Sequence, residues 1–361
     1  MAFKALVIED SIIFQQVMGE VLKGLDEIES VEIANSGRPG LDLISRKNYD
    51  VLFLDMNLPD INGLEILAEL RKFPNRPSVI VVSSAGGHGT DMTVKALQAG
   101  ALEFICKPAG AGFNESVEKL RADLKQALRT VRHRRPAGLS AARPATTPVA
   151  PAPTSFRTSL PPRGGFWLTA IAVSTGGPES LAKVIPALPA NYPTPIVLVQ
   201  HMPPLFTASL ATSLNNKSKV TVVEAEEGME LKKGHVYIAP GGRHMTIKRE
   251  GGRSIVRLND NEAECHVRPA ADVLFRSISR IPESSSVLAV VMTGMGEDGK
   301  VGVECLKQGK CHCLSQTEDT CVVYGMPRAM DENGLSDERV PLNKIAARMT
   351  ELNIMAMTPA R

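Results

Sequence analysis

No stretch of the 361-residue sequence reaches the ~18 consecutive apolar residues that a helix needs to cross a bilayer. The first residues, MAFKALVIEDS, lack the charged, apolar and cleavage regions of a secretory signal and pass directly into a strand-like run. A cytoplasmic location without membrane insertion is therefore expected. An excess of charge of either sign is also missing. The 41 Lys and Arg stand against 39 Asp and Glu, which speaks against a broad nucleic-acid footprint. None of the six cysteines, Cys106, Cys265, Cys305, Cys311, Cys313 and Cys321, forms a CxxC pair, and a reducing cytosol disfavours disulfides. Cys311, His312 and Cys313 are consecutive. Neighbours on a strand point to opposite faces, which turns His312 away from both sulfurs and argues against a metal there. No compact helix-turn-helix with a basic recognition helix is present.

What is there is apolar content enough for two cores, in a chain too long for one ordinary domain. Residues 1–130 alternate strand-like runs (Phe3–Glu9, Val31–Asn35, Val51–Asp55, Val79–Ser83, Phe104–Lys107) with helical patterns such as Gly63–Phe73 and Glu115–Val131. Strand and helix alternating five times predicts an open parallel sheet covered on both faces. Residues 131–164 break this pattern with a basic RHRR cluster and a Pro/Ala-rich stretch, the composition of a semi-stiff linker. From residue 165 a second α/β pattern begins. Its strand candidates are Trp167–Val173, Pro195–Gln200, Lys219–Glu224, Ser286–Thr293 and Cys311–Leu314. Its helix candidates are Glu179–Leu188, Leu205–Asn215, Ala270–Arg280 and Gly299–Gln308. Within it, Met245–Asn259 reads as two alternating strands across a Gly-Gly turn, a β-hairpin.

Chemistry-bearing residues gather at the carboxyl ends of these strands, where open α/β sheets bind their ligands. Glu9 and Asp10 end the first strand, Asp55 the third, Ser83 the fourth and Lys107 the fifth. Clustered carboxylates repel one another unless a cation sits among them, and hard oxygen ligands suit Mg²⁺. This pattern, with the stretches VIEDS, LFLDMNLPDINGLE and VVSS and the Lys107-Pro108 pair, resembles the CheY-like receiver domain of two-component response regulators, a flavodoxin-like five-stranded sheet. The resemblance implies that Asp55 accepts phosphate from a histidine kinase. It implies that Glu9, Asp10, Asp55 and the Asn57 carbonyl hold Mg²⁺, that Lys107 contacts the phosphoryl group, and that Ser83 and Phe104 form the switch.

In the second half, Ser174 follows an apolar strand in IAVSTGGPES and precedes Pro178, which suits the start of a helix. A hydroxyl at a helix N-terminus can serve as a nucleophile or help bind an anion. That segment lacks both the dinucleotide fingerprint and the P-loop lysine, and its residues alone leave nucleophile, phosphate site and plain turn open. His201 in VLVQHMPP and Asp298 in VVMTGMGEDG follow two further strands, so Ser, His and Asp occupy one sheet edge in an order a triad can take. His244 and His266 compete with His201, and Glu297 with Asp298. The motifs AVSTGGPESL, VLVQHMPPLFTASLA, GHVYIAPGGRHM, HVRPAADVLF, VVMTGMGEDG and VVYGMPRAM together resemble the catalytic domain of the chemotaxis methylesterase family, across residues 167–355. That resemblance implies Ser174 as nucleophile, His201 as base, Asp298 as its orienting partner, the Met295 N–H as oxyanion donor and Thr175 as a positioning residue. The reaction it implies needs no cofactor. Glutamate methyl esters on methyl-accepting chemoreceptors would be hydrolysed and receptor glutamines deamidated. The long proline-rich linker lets the receiver reach over that site at little closure cost, and phosphate at Asp55 is expected to loosen the contact. A C-terminal domain over 165–361 that only binds receptors is the alternative. Ala172 stands where the family usually has Gly, so its methyl group is expected to crowd the turn.

Overall fold

The structure, a computed structural model, describes residues 2–84, 86–107, 113–133, 165–281 and 286–357. The chain divides into two compact units, one carrying a five-stranded sheet and the other a seven-stranded sheet. The linker expected over 131–164 lies outside the described residues from 134 onward, as does Pro108.

The first unit runs β1 (Phe3–Ile8), α1 (Ile12–Lys23), β2 (Ile28–Ala34), α2 (Gly37–Arg46), β3 (Val51–Asp55), α3 (Gly63–Leu70), β4 (Ser78–Ser84), α4 (His88–Gln98), β5 (Glu103–Lys107) and α5 (Phe113–His133). The strands are parallel in the order β2-β1-β3-β4-β5, the expected flavodoxin-like arrangement. All five residues of β3 are buried, as a central strand covered on both faces requires. Asn62 caps α3 in a reciprocal pair with Glu65, which fixes where the chain leaves the loop after Asp55.

The C-terminal part of the chain runs β6 (Leu168–Val173), α6 (Gly177–Val184), β7 (Ile196–Gln200), α7 (Phe206–Asn215), β8 (Thr221–Glu224), β9 (His235–Ile238), β10 (His244–Glu250), β11 (Arg253–Asn259), α8 (Ala271–Ser279), β12 (Val287–Val291), α9 (Lys300–Lys307), β13 (Cys311–Gln316), α10 (Met326–Glu332), β14 (Glu338–Val340) and α11 (Leu342–Met357); all its strands belong to the second unit, whereas α7 and most of α6 group with the first. The sheet order is β14-β13-β12-β6-β7-β9-β8, parallel throughout. Strands β6, β7 and β12 are wholly buried and apolar but for Thr169 and Gln200, and Ala172 belongs to this core. The hairpin β10–β11 pairs Ile247 with Val256 and turns at Gly251-Gly252, as its alternation predicts. Strands β9 and β14 were not expected. Each has only three or four residues, too few for periodicity to mark. His312 turns its Nε2 to Glu338 at 3.0 Å, while Cys313 lies in the core.

No helix among the described residues is long and apolar enough to cross a membrane.

Helices α8 and α9 touch closely because residue 302 has no side chain. A Cβ there would lie 2.5 Å from the Phe275 Cβ and 3.2 Å from the Asp272 Cα. Gly302→Ala should therefore lower the stability of the second unit by ~1–3 kcal/mol through overpacking, although alanine is the better helix former. Urea unfolding followed by circular dichroism measures this. A variant as stable as the parent would mean that the two helices separate freely.

Candidate functional site

In the first unit, Lys107 extends from the end of β5 between two acids. Its Nζ lies 2.7 Å from Asp55 Oδ2 and 2.7 Å from Glu9 Oε2. The ammonium also sits 4.9 Å from the Phe14 ring centre, a cation–π contact. Burial pushes Glu9 above the usual carboxylate range, and the Asp55 charge adds to that; the hydrogen bond from Lys107 opposes both. Lys107 is held above its ordinary value, because its bonds to Asp55 and Glu9 outweigh the effect of burial. Glu9, Asp10 and Asp55 each place one ligand atom within 4.8 Å of the others. Asp10 is exposed and has no partner among the described residues. The Asn57 N–H donates to Asp55 Oδ1 at 3.1 Å. Glu9, Asp10, Asp55, Asn57 and Lys107 are thus gathered at one sheet edge. Ser83, buried in β4, instead donates its hydroxyl to the Gly89 carbonyl at 3.4 Å, and Phe104 is half-buried in β5.

In the second unit, β6 lies between β12 and β7, so three loops converge at the carboxyl edge. Ser174 follows β6 directly, and the turn to α6 passes through Gly176 at φ 76°. The Ser174 N–H donates to Thr293 O at 3.0 Å, tying it to the loop after β12. His201 follows β7, and its Nε2 lies 2.7 Å from Asp298 Oδ2. Asp298 is buried and accepts the N–H groups of Ala271 at 2.6 Å, Asp272 at 2.9 Å and Gly299 at 3.0 Å. Two of these donors open α8, so the carboxylate sits on the positive end of a helix. Burial alone would push Asp298 up. The bond from His201 and the N–H groups of Ala271 and Asp272 outweigh it and hold the acid below its usual range. In a neutral imidazole whose Nε2–H faces an ionised Asp298, Nδ1 carries the lone pair.

Two of the competing residues, His244 and Glu297, are otherwise engaged. His244 is buried, with Nε2 on Glu262 O at 2.9 Å and Nδ1 accepting the Ala270 N–H at 3.2 Å. His266 is exposed, and so is Glu297, which pairs with Lys300.

The segment Gly294–Gly299 spells G-x-G-x-x-G between β12 and α9, yet its first glycine meets a different need. A Cβ at 294 would lie 2.8 Å from the Ser174 Cβ and 2.4 Å from the Met326 sulfur. The Gly294 carbonyl accepts the N–H groups of Gly325 and Met326 at 3.0 and 2.9 Å. A trans peptide points its N–H opposite its C=O, so this anchoring aims the Met295 N–H away from α10. That N–H has no acceptor among the described residues. Thr175 is buried beside Ser174. No hydrogen bond joins Ser174 Oγ to His201 among the described residues.

Residues 169–349 match the family described as CheB methylesterase, and residues 5–120 match the response regulator receiver domain. A protein-glutamate methylesterase/protein-glutamine glutaminase of Desulfotalea psychrophila is 39% identical over 355 residues, covering 95% of this chain and 96% of that protein. The chain belongs to the CheB methylesterase family. A Vibrio vulnificus protein named protein-glutamate methylesterase/protein-glutamine glutaminase 1 is 37% identical, covering 97% of this chain and 98% of its own. The crystal structure of the Thermotoga maritima CheB methylesterase catalytic domain superposes with a TM-score of 0.51 at 43% identity, over 52% of this chain and 98% of that one. Relatives with these names are hydrolases, which leaves the non-catalytic alternative without support. Membership brings a receiver unit whose family accepts phosphate from histidine kinases.

Asp272 was not expected at the site, because an acid in the first turn of a helix is ordinary. It is buried beside Asp298 and accepts the Gly302 N–H at 2.6 Å. Burial, and then the Asp298 charge, push it up to about 6 despite that bond. An acid with a raised folded value loses stability as pH climbs from its unfolded value, ~3.9, toward the folded one. Asp272→Asn should therefore gain stability over the parent at pH 7–8, by up to ~3 kcal/mol, with the gain fading below pH ~4. Thermal melts across pH measure it. A gain constant with pH would remove Asp272 as the titrating group.

Proposed function

We propose that this chain hydrolyses glutamate methyl esters on chemoreceptors, releasing methanol, and also deamidates receptor glutamines, under control of phosphate at Asp55. We assign the receiver to residues 1–133, because α5 carries the boundary expected at 130 on to His133, the linker to 134–164 and the catalytic domain to 165–361, in a cytoplasmic protein.

The observation that carries the reading is the His201–Asp298 pair, seated on α8 at the edge where Ser174 ends β6. Ser174 attacks the ester carbonyl while His201 Nδ1 takes its proton. Asp298 stabilises the imidazolium that forms. The Met295 N–H, held in place through the Gly294 carbonyl, faces the developing oxyanion, an interaction worth ~3 kcal/mol per donor, and Thr175 helps position it. His201 returns the proton to the departing methanol. Water then cleaves the acyl-enzyme by the same path and leaves a free glutamate. An amide can enter the same geometry, with ammonia as the poorer leaving group.

In the receiver, the Asp55 carboxylate takes a phosphoryl group from a histidine kinase, and Lys107 pairs with the new oxygens. Glu9, Asp10, Asp55 and the Asn57 carbonyl would hold Mg²⁺, and the close set of carboxylate oxygens fits such a hard ion. When bound, the ion supplies positive charge that offsets the phosphoryl group's. The added charge at Asp55 biases the switch formed by Ser83 and Phe104.

Ser174→Ala, His201→Ala and Asp298→Ala should each nearly abolish methanol release from methylated receptors without unfolding the chain. Their combination should cost little more than the worst single change, because the three act as a unit. Substantial activity in Ser174→Ala would remove the nucleophile assignment.

Acetyl phosphate with Mg²⁺ should label Asp55 alone and raise the rate of methanol release. Asp55→Asn or EDTA should prevent both effects. A tenfold rise needs only ~1.4 kcal/mol of differential stabilisation. Mass spectrometry that located the phosphate elsewhere would overturn the receiver assignment.

A further inference from the structure

We propose that Gln200 is a positioning residue for the esterase reaction, clamping the backbone of the nucleophile to that of the base; the proposal rests on the reading of Ser174 and His201 given above. Gln200 is the last residue of β7 and is 2% exposed. Its side-chain Nε2 donates to the carbonyl of Ser174 at 3.0 Å and to the carbonyl of His201 at 3.3 Å. One amide group thus joins the two residues between which the proton must pass.

The need for such a clamp follows from the sheet. Strands β6 and β7 pair in parallel as far as Val173 and Gln200, and one further bond runs from the His201 N–H to Val173 O at 3.3 Å. Beyond that rung the chains part, Ser174 into the turn toward α6 and His201 into the loop toward α7. Their carbonyls have left the ladder, and the Gln200 amide adds a rung where the backbone no longer does.

The orientation of the amide is determined. Exchanging its nitrogen and oxygen would set an acceptor against two carbonyl oxygens. The other end of the side chain is informative too. Oε1 is buried and has no partner among the described residues. A buried acceptor without a donor is costly, and an apolar side chain of similar length would fill the space without that cost. The donor end is what accounts for an amide here.

Displacing a reacting group by about an ångström can cost ~100-fold in rate. Loss of the clamp should therefore act on kcat and leave substrate binding alone. Gln200→Met keeps the length and removes the donor. Gln200→Glu keeps the shape, and only its protonated form can donate to the two carbonyls.

The test uses the full-length protein, phosphorylated with acetyl phosphate and assayed by methanol release from methylated receptor membranes. Proton NMR in parallel follows the strongly hydrogen-bonded imidazole N–H of His201. For Gln200→Met the expected result is a fall in kcat of about ten- to a hundredfold, KM within about twofold, and a shifted or broadened imidazole resonance at an unchanged melting temperature. For Gln200→Glu, activity relative to the parent should be best at low pH and fall as the new carboxyl ionises. Parental kcat and an unmoved resonance in both variants would overturn the proposal. So would a fall in kcat no larger than the loss of folded protein. Should Gln200→Met fail to fold, the pH profile of Gln200→Glu decides. A parent protein that released no methanol would overturn the methylesterase reading instead, while the resonance would still decide whether the clamp holds His201.

Discussion

The second unit is organised around one buried carboxylate. Asp298 accepts three backbone N–H groups and faces the imidazole of His201, so four donors converge on two oxygens. A carboxylate taken out of water is costly unless its lone pairs are met. Here the cost is offset by groups the fold must leave unpaired anyway, the first N–H groups of α8. The same contacts tie the loop after β12 to α8 and to the end of β7. Neutralising Asp298 would weaken all of these bonds at once. The geometry of the His201–Asp298 pair and the local folding therefore depend on the same ionisation state.

A second buried acid beside the first shows how narrow that solution is. Asp272 lends its N–H to Asp298, yet its own carboxyl is pushed up to about 6 by burial and by that neighbour. The helix end has donors enough for one charge at this depth. The receiver meets the same problem differently. Glu9 and Asp55 share the single ammonium of Lys107, while Asp10 stands exposed within ligand distance. An unshared carboxylate beside a shared cation is an arrangement that a further positive charge would complete.

Much of this was legible in the sequence for identifiable reasons. Buried parallel strands are continuous apolar runs, so β1, β3, β4, β6, β7 and β12 announced themselves, and residues just past them marked the functional edge. Strands β9 and β14 were too short to leave a period. Ala172 was expected to crowd the turn, but its methyl group lies in the core, where a Cβ added at Gly299 would come no closer than 3.5 Å to it. Gln200 and Asp272 carried no signal, since one ends a strand and the other opens a helix as countless ordinary residues do.

The sequence by itself determined two α/β units, the carboxyl-edge placement of Asp55 and Ser174, and the family to which their motifs point. Only the tertiary structure showed which imidazole meets Asp298, since residue spacing leaves His201 and His244 nearly equivalent. Both imidazoles sit at strand ends, but His244 spends its two nitrogens on Glu262 and Ala270. His201 turns one to Asp298, and its other nitrogen has no hydrogen bond among the described residues. A sequence supplies the donors and acceptors. Which of them meet depends on β6 lying between β12 and β7, because strand order sets the distances over which hydrogen bonds can form.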